Sequence, residues 1–218
     1  MFATNCWLIA PEAGGECLIV DPGMPDLFRG DQHFAPVIEL AIEEYGLKPV
    51  AALLTHGHLD HTFSVTPLAD GYGISAYIHS EDLPYVGAPQ GLHGAEFNAA
   101  LGDRSFHAPQ SLKALRNGDV LSFLDMSIEA IHAPGHTKGS LMYLLDNQTL
   151  LSGDVLFAGS IGRTDLPTGS MSDMKKTLQT KILPLNDDVR VLPGHGDETT
   201  IKYERRNNPY LKEYEYEV

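Results

Sequence analysis

Basic residues and cysteines are both scarce in this chain. Only 15 lysines and arginines stand against 29 aspartates and glutamates, and the formal net charge is −14. A surface this acidic repels phosphate backbones, so we expect no nucleic-acid partner. The start of the chain lacks a secretory signal, which predicts a cytoplasmic protein. In that reducing compartment we expect Cys6 and Cys17 to be two buried thiols rather than a disulfide, close together on paired strands.

Long apolar runs and linker-like stretches rich in proline, glycine and serine are also missing. The longest apolar runs, Val50–Leu54 and Leu141–Leu145, are far shorter than the roughly 20 residues that cross a membrane. We therefore expect no membrane partner. The hydrophobic content of 43% over 218 residues is sufficient for a full core. The sequence predicts one domain spanning residues 1–218.

Apolar periodicity predicts strands and helices in a loosely repeated order. The predicted strands are 5–10, 16–21, 50–54, 74–78, 120–124, 127–132, 141–145, 149–152 and 189–192, and the predicted helices are 36–45, 61–69, 81–85, 171–183 and 199–206. This order suits two sheets packed face to face with helices outside. Residues 87–117 have weak periodicity and predict a long lid or binding loop.

Seven side chains that can bind metal fall into four short patches, each placed after a predicted strand. The patches are Thr55–His61, Pro134–Thr137, Ser152–Asp154 and Pro193–Gly196. They supply imidazole and carboxylate but no thiolate, a donor set that suits zinc, manganese or iron. Seven donors are too many for one tetrahedral ion, but they suit two ions that share a carboxylate. The pattern therefore predicts two divalent metal ions at one edge of the sheets.

The order of the donors along the chain indicates how they divide. His56 and His58 can bind one ion if their loop curls, while Asp60 and His61 begin a helix and can reach a second ion. His136 and His195 complete the two sets, and Asp154 is the natural bridge because a carboxylate has two oxygens. The other five histidines lack such company, and we expect them to be structural or surface residues: His33, His79, His93, His107 and His132.

Taken together, the four patches resemble the metallo-β-lactamase fold superfamily over nearly the whole chain. The resemblance implies a four-layer αββα sandwich with the metal ions at one edge. It also implies the ligand sets: His56, His58 and His136 for one ion, Asp60, His61 and His195 for the other, and Asp154 as the bridge. Zinc is the expected metal, with iron and manganese as alternatives.

Within the superfamily, the chain looks most like glyoxalase II-type hydrolases, also called hydroxyacylglutathione hydrolases. The similar stretches are residues 134–137, 153–157, 161–165 and 193–196, and residues 204–211 resemble the short single-domain bacterial branch. The resemblance implies that a metal-bound hydroxide cleaves a thioester of the S-lactoylglutathione type, with Asp60 steering the nucleophile and Arg163 contacting the glutathione part. Full-length enzymes add a helical C-terminal domain and an aromatic residue where this chain has Asp165, so the thiol half of the substrate is left open.

The same residues leave three alternative functions open. True β-lactamases of this fold carry a cysteine where Asp154 stands, which disfavours antibiotic hydrolysis. Persulfide dioxygenases resemble the Gly162–Asp165 stretch and would use a single iron bound by His56, His136 and Asp154. A metal-stabilised binding module without catalysis is the third, although structural zinc sites are usually closed and rich in cysteine. The presence of Asp60, His61 and His195 favours the hydrolase.

Overall fold

Two β-sheets form the centre of the computed structural model, which describes residues 4–23, 35–101 and 105–212. The first sheet contains, in spatial order, β1 (Trp7–Ile9), β2 (Glu16–Val20), β3 (Lys48–Leu53), β4 (Ser75–His79) and β5 (Leu112–Leu115). The second contains β6 (Val120–Phe123), β7 (Met126–His132), β8 (Leu141–Leu145), β9 (Thr149–Gly153), β12 (Arg190–Pro193) and β13 (Thr199–Thr200). Its spatial order is β13-β12-β9-β8-β7-β6. A short ribbon, β10 (Leu156–Phe157) with β11 (Ser160–Ile161), follows β9.

Helices follow the strands in both halves. They are α1 (Ala35–Glu44), α2 (Leu59–Thr62), α3 (Val65–Tyr72), α4 (Ala95–Leu101), α5 (Met171–Thr177), α6 (Ile201–Asn207) and α7 (Pro209–Lys212). Short 3₁₀ turns occur at Leu83–Tyr85 and Pro89–Leu92, and a π-helical turn, Leu178–Ile182, continues α5. No helix in the described ranges has the length and apolar character needed to cross a membrane.

The pairing of the strands decides where the loops meet. Strands β2 to β5 are parallel neighbours, and β9 is parallel to β12. Parallel strands end at the same edge of a sheet, so the loops after β9 and β12 are adjacent. Leu141 N–H donates to Thr55 O at 2.7 Å, which joins the loop after β3 to the second sheet. The predicted metal-binding patches are therefore brought to one edge.

Alternating side chains divide the core into layers. Leu18 and Val20 of β2 face the second sheet, where Tyr143 is fully buried, while Ile19 points the other way. Ile19 packs in a cluster with Ile38 of α1 and further residues of α3. The outer face of the second sheet packs on α5 and α6 in the same manner. The predicted αββα sandwich is confirmed, and each buried Leu or Ile stabilises it by about 1.5–3 kcal/mol.

The prediction of a long loop over residues 87–117 was wrong on both sides of its centre. This stretch contains the 3₁₀ turn Pro89–Leu92, α4 and the parallel strand β5. Strand β5 pairs with β4 through Ala76–Leu112 to His79–Leu115, a contact between segments far apart in sequence. A strand of four residues is too short to show a recognisable apolar pattern in the sequence, and its pairing partner is distant. The remaining predicted strands and long helices are present, with ends shifted by a few residues, except that the predicted helix 61–69 is divided between α2 and α3.

Both cysteines are free thiols, as expected, but their predicted proximity was wrong. In the hairpin Trp7 pairs with Val20 and Ile9 pairs with Leu18. This register puts Cys6 and Cys17 toward opposite ends of the strand pair. Burial raises the pKa of Cys17 to about 11, and burial together with the charge of Asp21 raises the pKa of Cys6. Both thiols therefore stay protonated at neutral pH.

Candidate metal centre

The structure brings all seven predicted ligands to one place. His56 and His58 lie in the loop after β3, Asp60 and His61 lie in α2, and His136 lies between β7 and β8; Asp154 directly follows β9, and His195 follows β12. Six of them are buried, and the side chain of His195 is 27% exposed. The distances and hydrogen bonds of these side chains indicate whether metal ions fit among them.

The donor atoms form three overlapping groups, in each of which all atoms lie within 4.8 Å of one another. The groups are His56, His58 and His136; His56, His61 and Asp154; and Asp60, His61 and His195. The two oxygens of Asp154 face different groups, with Oδ1 3.4 Å from His61 Nε2 and Oδ2 3.4 Å from His136 Nε2. Two of the groups contain the residues of the two predicted sets, and the third places Asp154 beside a histidine of each; the predicted binding of two ions stays a prediction.

Hydrogen bonds determine which nitrogen of His58 and His136 carries the proton. The carbonyl of Arg163 lies 2.7 Å from His136 Nδ1, and the carbonyl of Leu92 lies 3.2 Å from His58 Nε2. A carbonyl can only accept, so these nitrogens donate, and lone pairs are left on His136 Nε2 and His58 Nδ1. The two lone-pair nitrogens are 2.8 Å apart. Between two neutral rings such a contact is repulsive unless a shared proton or a metal ion lies between the nitrogens.

The same reasoning applies to His56 and His61. Thr55 Oγ1 donates to Asp21 Oδ2 at 2.7 Å, so it accepts from His56 Nδ1 at 3.0 Å. Asp21 Oδ2 also accepts from His61 Nδ1 at 3.0 Å. The Nε2 atoms of both rings therefore face the site, and within the described chain the buried His56 Nε2 has no hydrogen-bond partner. Buried polar atoms are rarely left unpaired, so a cation is the fitting partner.

Electrostatics around the two sets differ. Burial lowers the pKa of His56 and of His58, and the neighbouring imidazoles lower it further, so both rings are neutral and able to bind metal. Burial would also lower the pKa of His61, but the carboxylates of Asp154, Asp60 and Asp21 outweigh it and raise the value to about 9. The surroundings of His61 therefore attract positive charge.

The carboxylates themselves are held in the ionised form. Burial would raise the pKa of Asp60, but His61 and then His195 lower it well below its usual range. The pKa of Asp154 is likewise lowered by His61 and His195 against the effect of burial. Burial would lower the pKa of His195, but the carboxylates of Asp154 and Asp60 outweigh this effect and raise the value to about 10. Two buried anions among imidazoles fit a pair of divalent cations.

Close backbone approach explains one glycine of the motif. A Cβ atom on Gly194 would overlap Asp154 Oδ1 and lie 2.7 Å from His61 Cε1. Gly194 N–H also donates to Gly153 O at 2.8 Å. Any side chain at position 194 would therefore displace the carboxylate of Asp154, so the close approach of the backbone requires glycine there.

The N-terminal segment supports the second set, a role that the sequence did not reveal. Thr4 Oγ1 donates to Asp60 Oδ2 at 3.0 Å. Asn5 Nδ2 donates to Pro193 O at 3.1 Å and to Gly196 O at 2.8 Å, on both sides of His195. Asp21 is a second supporting residue that the sequence analysis did not identify, although a carboxylate at the end of a buried strand is a recognisable signal for such a group.

The exposed side chain of Arg163 is already paired with another side chain, so it is not free to contact a substrate. Its guanidinium makes two hydrogen bonds with Asp165, from Nε to Oδ1 at 2.8 Å and from Nη2 to Oδ2 at 2.7 Å, and both side chains are exposed. Its carbonyl is the partner of His136 described above. The sequence predicted a role for the side chain, and that role stays a prediction.

The remaining histidines occupy different surroundings. His79 and His132 stack with ring centroids 4.0 Å apart, His107 is exposed, and His33 lies outside the described residues. His93 is buried, accepts a hydrogen bond from Leu59 N–H at 3.0 Å, and has its ring centroid 5.1 Å from that of His58. The predicted structural role suits His93, but its position beside the ligands was not foreseen.

Two curated relatives align over almost the whole chain. A protein of Mycobacterium leprae is 39% identical over 215 residues, which covers 97% of this chain and 95% of the relative. A hydroxyacylglutathione hydrolase of Haemophilus influenzae is 35% identical and covers 96% of this chain and 93% of its own.

Two solved structures are also similar to this chain over almost its whole length. The BLEG-1 B3 metallo-β-lactamase has a TM-score of 0.79 and 31% identity, covering 96% of this chain and 95% of its own. The protein TTHA1623 in a di-iron-bound form has a TM-score of 0.75 and 32% identity, covering 96% of both chains. The family model of the metallo-β-lactamase superfamily matches residues 1–195. The chain therefore belongs to the metallo-β-lactamase superfamily.

Proposed function

We propose that this protein is a metal-dependent hydrolase that cleaves a small thioester of the S-lactoylglutathione type. The observation that carries the metal-dependent part is the 2.8 Å contact between two lone-pair nitrogens, His58 Nδ1 and His136 Nε2. The hydroxyacylglutathione hydrolase of Haemophilus influenzae, 35% identical over 96% of this chain, supports the thioester. The family is one of metallo-hydrolases, and the substrate is the proposal.

The proposed ligand sets follow the geometry. His56, His58 and His136 would hold one divalent ion, Asp60, His61 and His195 the other, and Asp154 both. Nitrogen and oxygen donors suit zinc, and the di-iron-bound similar structure makes iron the alternative. When bound, such ions lower the pKa of water to about 7 and polarise the substrate carbonyl.

Asp60 has the contacts of a residue that orients the attacking water. Its Oδ2 accepts from the Thr4 hydroxyl at 3.0 Å and lies 3.4 Å from His195 Nε2. The carboxylate is buried and ionised, so it can accept a further hydrogen bond from the water and hold it in place. The leaving thiolate has a conjugate pKa of about 8.5 and needs no general acid.

Arg163 is proposed to bind a carboxylate on the thiol part of the substrate. The pair with Asp165 lies at the surface, where water and salt screen the two charges, so it is weak. A substrate carboxylate can therefore take the place of Asp165 and use the same two-pronged geometry. The negative charge of Asp165 would repel a further anionic group on the substrate. Enzymes with an aromatic residue at this position lack that repulsion, so we expect this protein to prefer a substrate with a different thiol.

β-Lactam hydrolysis is a second candidate because of one observation. The BLEG-1 B3 metallo-β-lactamase is 31% identical over 96% of this chain. Asp154 stands where true β-lactamases of this fold carry a cysteine, which is an argument against this activity. Similarity over the whole chain to a lactamase weakens that argument, so a β-lactam belongs among the test substrates.

The test combines metal analysis with a substrate panel. Purified protein is expected to contain about two divalent ions per chain and to hydrolyse S-lactoylglutathione or a thioester of another small thiol, while the β-lactam and a persulfide are turned over more slowly. Asp154→Ala should remove hydrolysis and metal, and His107→Ala, which removes an exposed histidine, should keep both.

Other outcomes contradict the proposal in distinct ways. One iron per chain with oxygen uptake on the persulfide would identify a dioxygenase. Fast turnover of the β-lactam alone would identify a lactamase. Bound metal without turnover of any compound in the panel would identify a binding module.

A further inference from the structure

Asp82 is a completely buried carboxylate that takes no part in the proposed chemistry. It directly precedes the 3₁₀ turn Leu83–Tyr85, three residues beyond β4, and its exposed fraction is 0%. Its Oδ2 accepts from Gly57 N–H at 3.0 Å and from Thr137 Oγ1 at 2.6 Å, and its Oδ1 accepts from Gly139 N–H at 2.9 Å. Three donors therefore converge on one carboxylate.

These donors come from the two loops that carry the three-histidine set. Gly57 stands between His56 and His58, in the loop after β3 of the first sheet. Thr137 directly follows His136, in the loop between β7 and β8 of the second sheet. One carboxylate thus joins two loops from different sheets, at the point where their imidazole nitrogens come within 2.8 Å of each other.

No ion pair among the described residues explains why a carboxylate is buried there, and only the charge of His136 adds to the effect of the three donors. Among the ion pairs of the described residues, none includes Asp82. Burial raises the pKa of Asp82, and the hydrogen bonds from Thr137, Gly57 and Gly139 oppose that change. Burying a charge without a cationic partner is costly, and the three donors offset that cost only while both loops keep their places.

The packing around this carboxylate is tight. A Cβ atom on Gly139 would lie 2.5 Å from Asp82 Oδ1 and 2.6 Å from its backbone nitrogen. A Cβ atom on Gly57 would lie 2.8 Å from Leu92 Cδ1, and the Leu92 carbonyl is the acceptor for His58. The loops therefore cannot shift past Asp82 without losing a hydrogen bond or meeting another side chain.

We propose that Asp82 is a positioning residue that sets the spacing between the His56–His58 loop and His136, and thereby the affinity of this set for its metal ion. The inference rests on the proposed metal-dependent function. Asp21 supports the other set in a comparable way, since it holds His61 Nδ1 at 3.0 Å. Each metal subsite then has a buried carboxylate behind its ligands, and Asp21 also reaches His56 through Thr55.

Asp82→Asn tests the inference with little change of shape. Gly57 and Gly139 N–H can only donate, and they meet different oxygens of Asp82. An amide has one oxygen, so one of these N–H groups must face the amide nitrogen. We expect one of the two metal ions to bind about 10–100-fold more weakly, the usual effect of losing such a supporting group. The other ion should bind as in the wild type.

Glu204→Gln is the matched control. Glu204 is also 0% exposed, and it accepts from Gly159 N–H, Thr199 Oγ1 and Asn208 Nδ2, none of which lies in a ligand loop of the three-histidine set. This variant should lose stability while both metal affinities stay the same. Thr137→Val removes one of the three donors to Asp82 and should weaken the same ion less than Asp82→Asn does.

The measurement is zinc titration of chelator-stripped protein against a competing chromophoric chelator, with thermal unfolding of the stripped and loaded forms. Wild-type binding of both ions by Asp82→Asn would overturn the inference and leave the proposed function intact. Equal loss of zinc affinity in Asp82→Asn and Glu204→Gln would also overturn it, as general destabilisation. If wild-type protein binds no zinc, the proposed function fails first. If Asp82→Asn does not fold, Thr137→Val decides, and unchanged affinities in it would count against the inference.

Discussion

Substitution of Gly153 by alanine should disturb both ligand sets at once. Gly153 is the last residue of β9, directly before Asp154, and its φ is +50°. A Cβ atom there would lie 2.5 Å from Thr55 Oγ1 and 2.6 Å from Thr55 Cβ. Thr55 cannot easily move away, because its N–H and its hydroxyl both donate to Asp21, at 2.8 Å and 2.7 Å. The strain is therefore passed to His56, whose Nδ1 donates to Thr55 Oγ1.

The magnitude follows from two separate costs. Left-handed backbone costs a residue with a Cβ atom about 1–2 kcal/mol. Forcing an extra carbon into a packed interior costs about 1–3 kcal/mol more. We therefore expect Gly153→Ala to lower the free energy of unfolding by about 2–5 kcal/mol. Gly118→Ala is the control, since its φ is +84° but no heavy atom of the described residues lies within 4 Å of the added carbon. It should cost only about 1–2 kcal/mol.

Urea unfolding of the two variants and the wild type measures the difference, and metal analysis of the same samples measures the consequence for the site. Gly153→Ala should bind metal more weakly, whereas Gly118→Ala should keep the wild-type content. Equal destabilisation of the two variants, with full metal content in both, would refute the argument that Thr55 transmits the strain to the ligands.

Three further expectations concern metal, the N-terminal segment and pH. Stripping the metal should lower the free energy of unfolding by about 2.7 kcal/mol for each ion supplied at a hundred times its dissociation constant, and calorimetry with and without added zinc checks this. Asn5→Ala should cost about 1–2 kcal/mol in urea unfolding, because the Gly196 carbonyl loses its side-chain donor and the Pro193 carbonyl keeps only Trp7 Nε1; an unchanged midpoint would contradict this. Burial, and then the charge of His132, lower the pKa of His79 from 6.5 to about 4. Its contribution to stability is complete above pH 6.5 and is lost as the pH falls from 6.5 toward 4, so His79→Gln should lose less stability than the wild type over that interval, as followed by thermal unfolding.

Where apolar periodicity is strong, the fold could be predicted from the sequence. Strand β8 consists of five consecutive buried residues, and β2 has four, so both are recognisable without any knowledge of their neighbours. Strand β5 and the ribbon of β10 and β11 could not be recognised. Their short segments become strands only because a partner strand supplies the hydrogen bonds, and that partner is identified only by the tertiary structure.

Within the site, the candidate ligands could be predicted from the sequence, whereas the residues that hold them in place through hydrogen bonds could not. His56, His58, Asp60 and His61 stand within six positions of each other, a density of metal-binding groups that chance rarely produces. Asp82 offers no such signal, because its donors lie 25 positions away at Gly57 and 55 and 57 positions away at Thr137 and Gly139. A supporting carboxylate looks like any other acidic residue until the chain has folded around it.

The sequence by itself determined which chemical groups this protein can offer: imidazoles and carboxylates after strand ends, on a pattern that produces two packed sheets. Only the tertiary structure decided which atom of each group faces the site. The nitrogen that His136 presents depends on the carbonyl of Arg163, and the nitrogen that His58 presents depends on the carbonyl of Leu92. The physical reason is that a proton on an imidazole goes to the side where an acceptor stands, and these acceptors are brought there by contacts between distant parts of the chain.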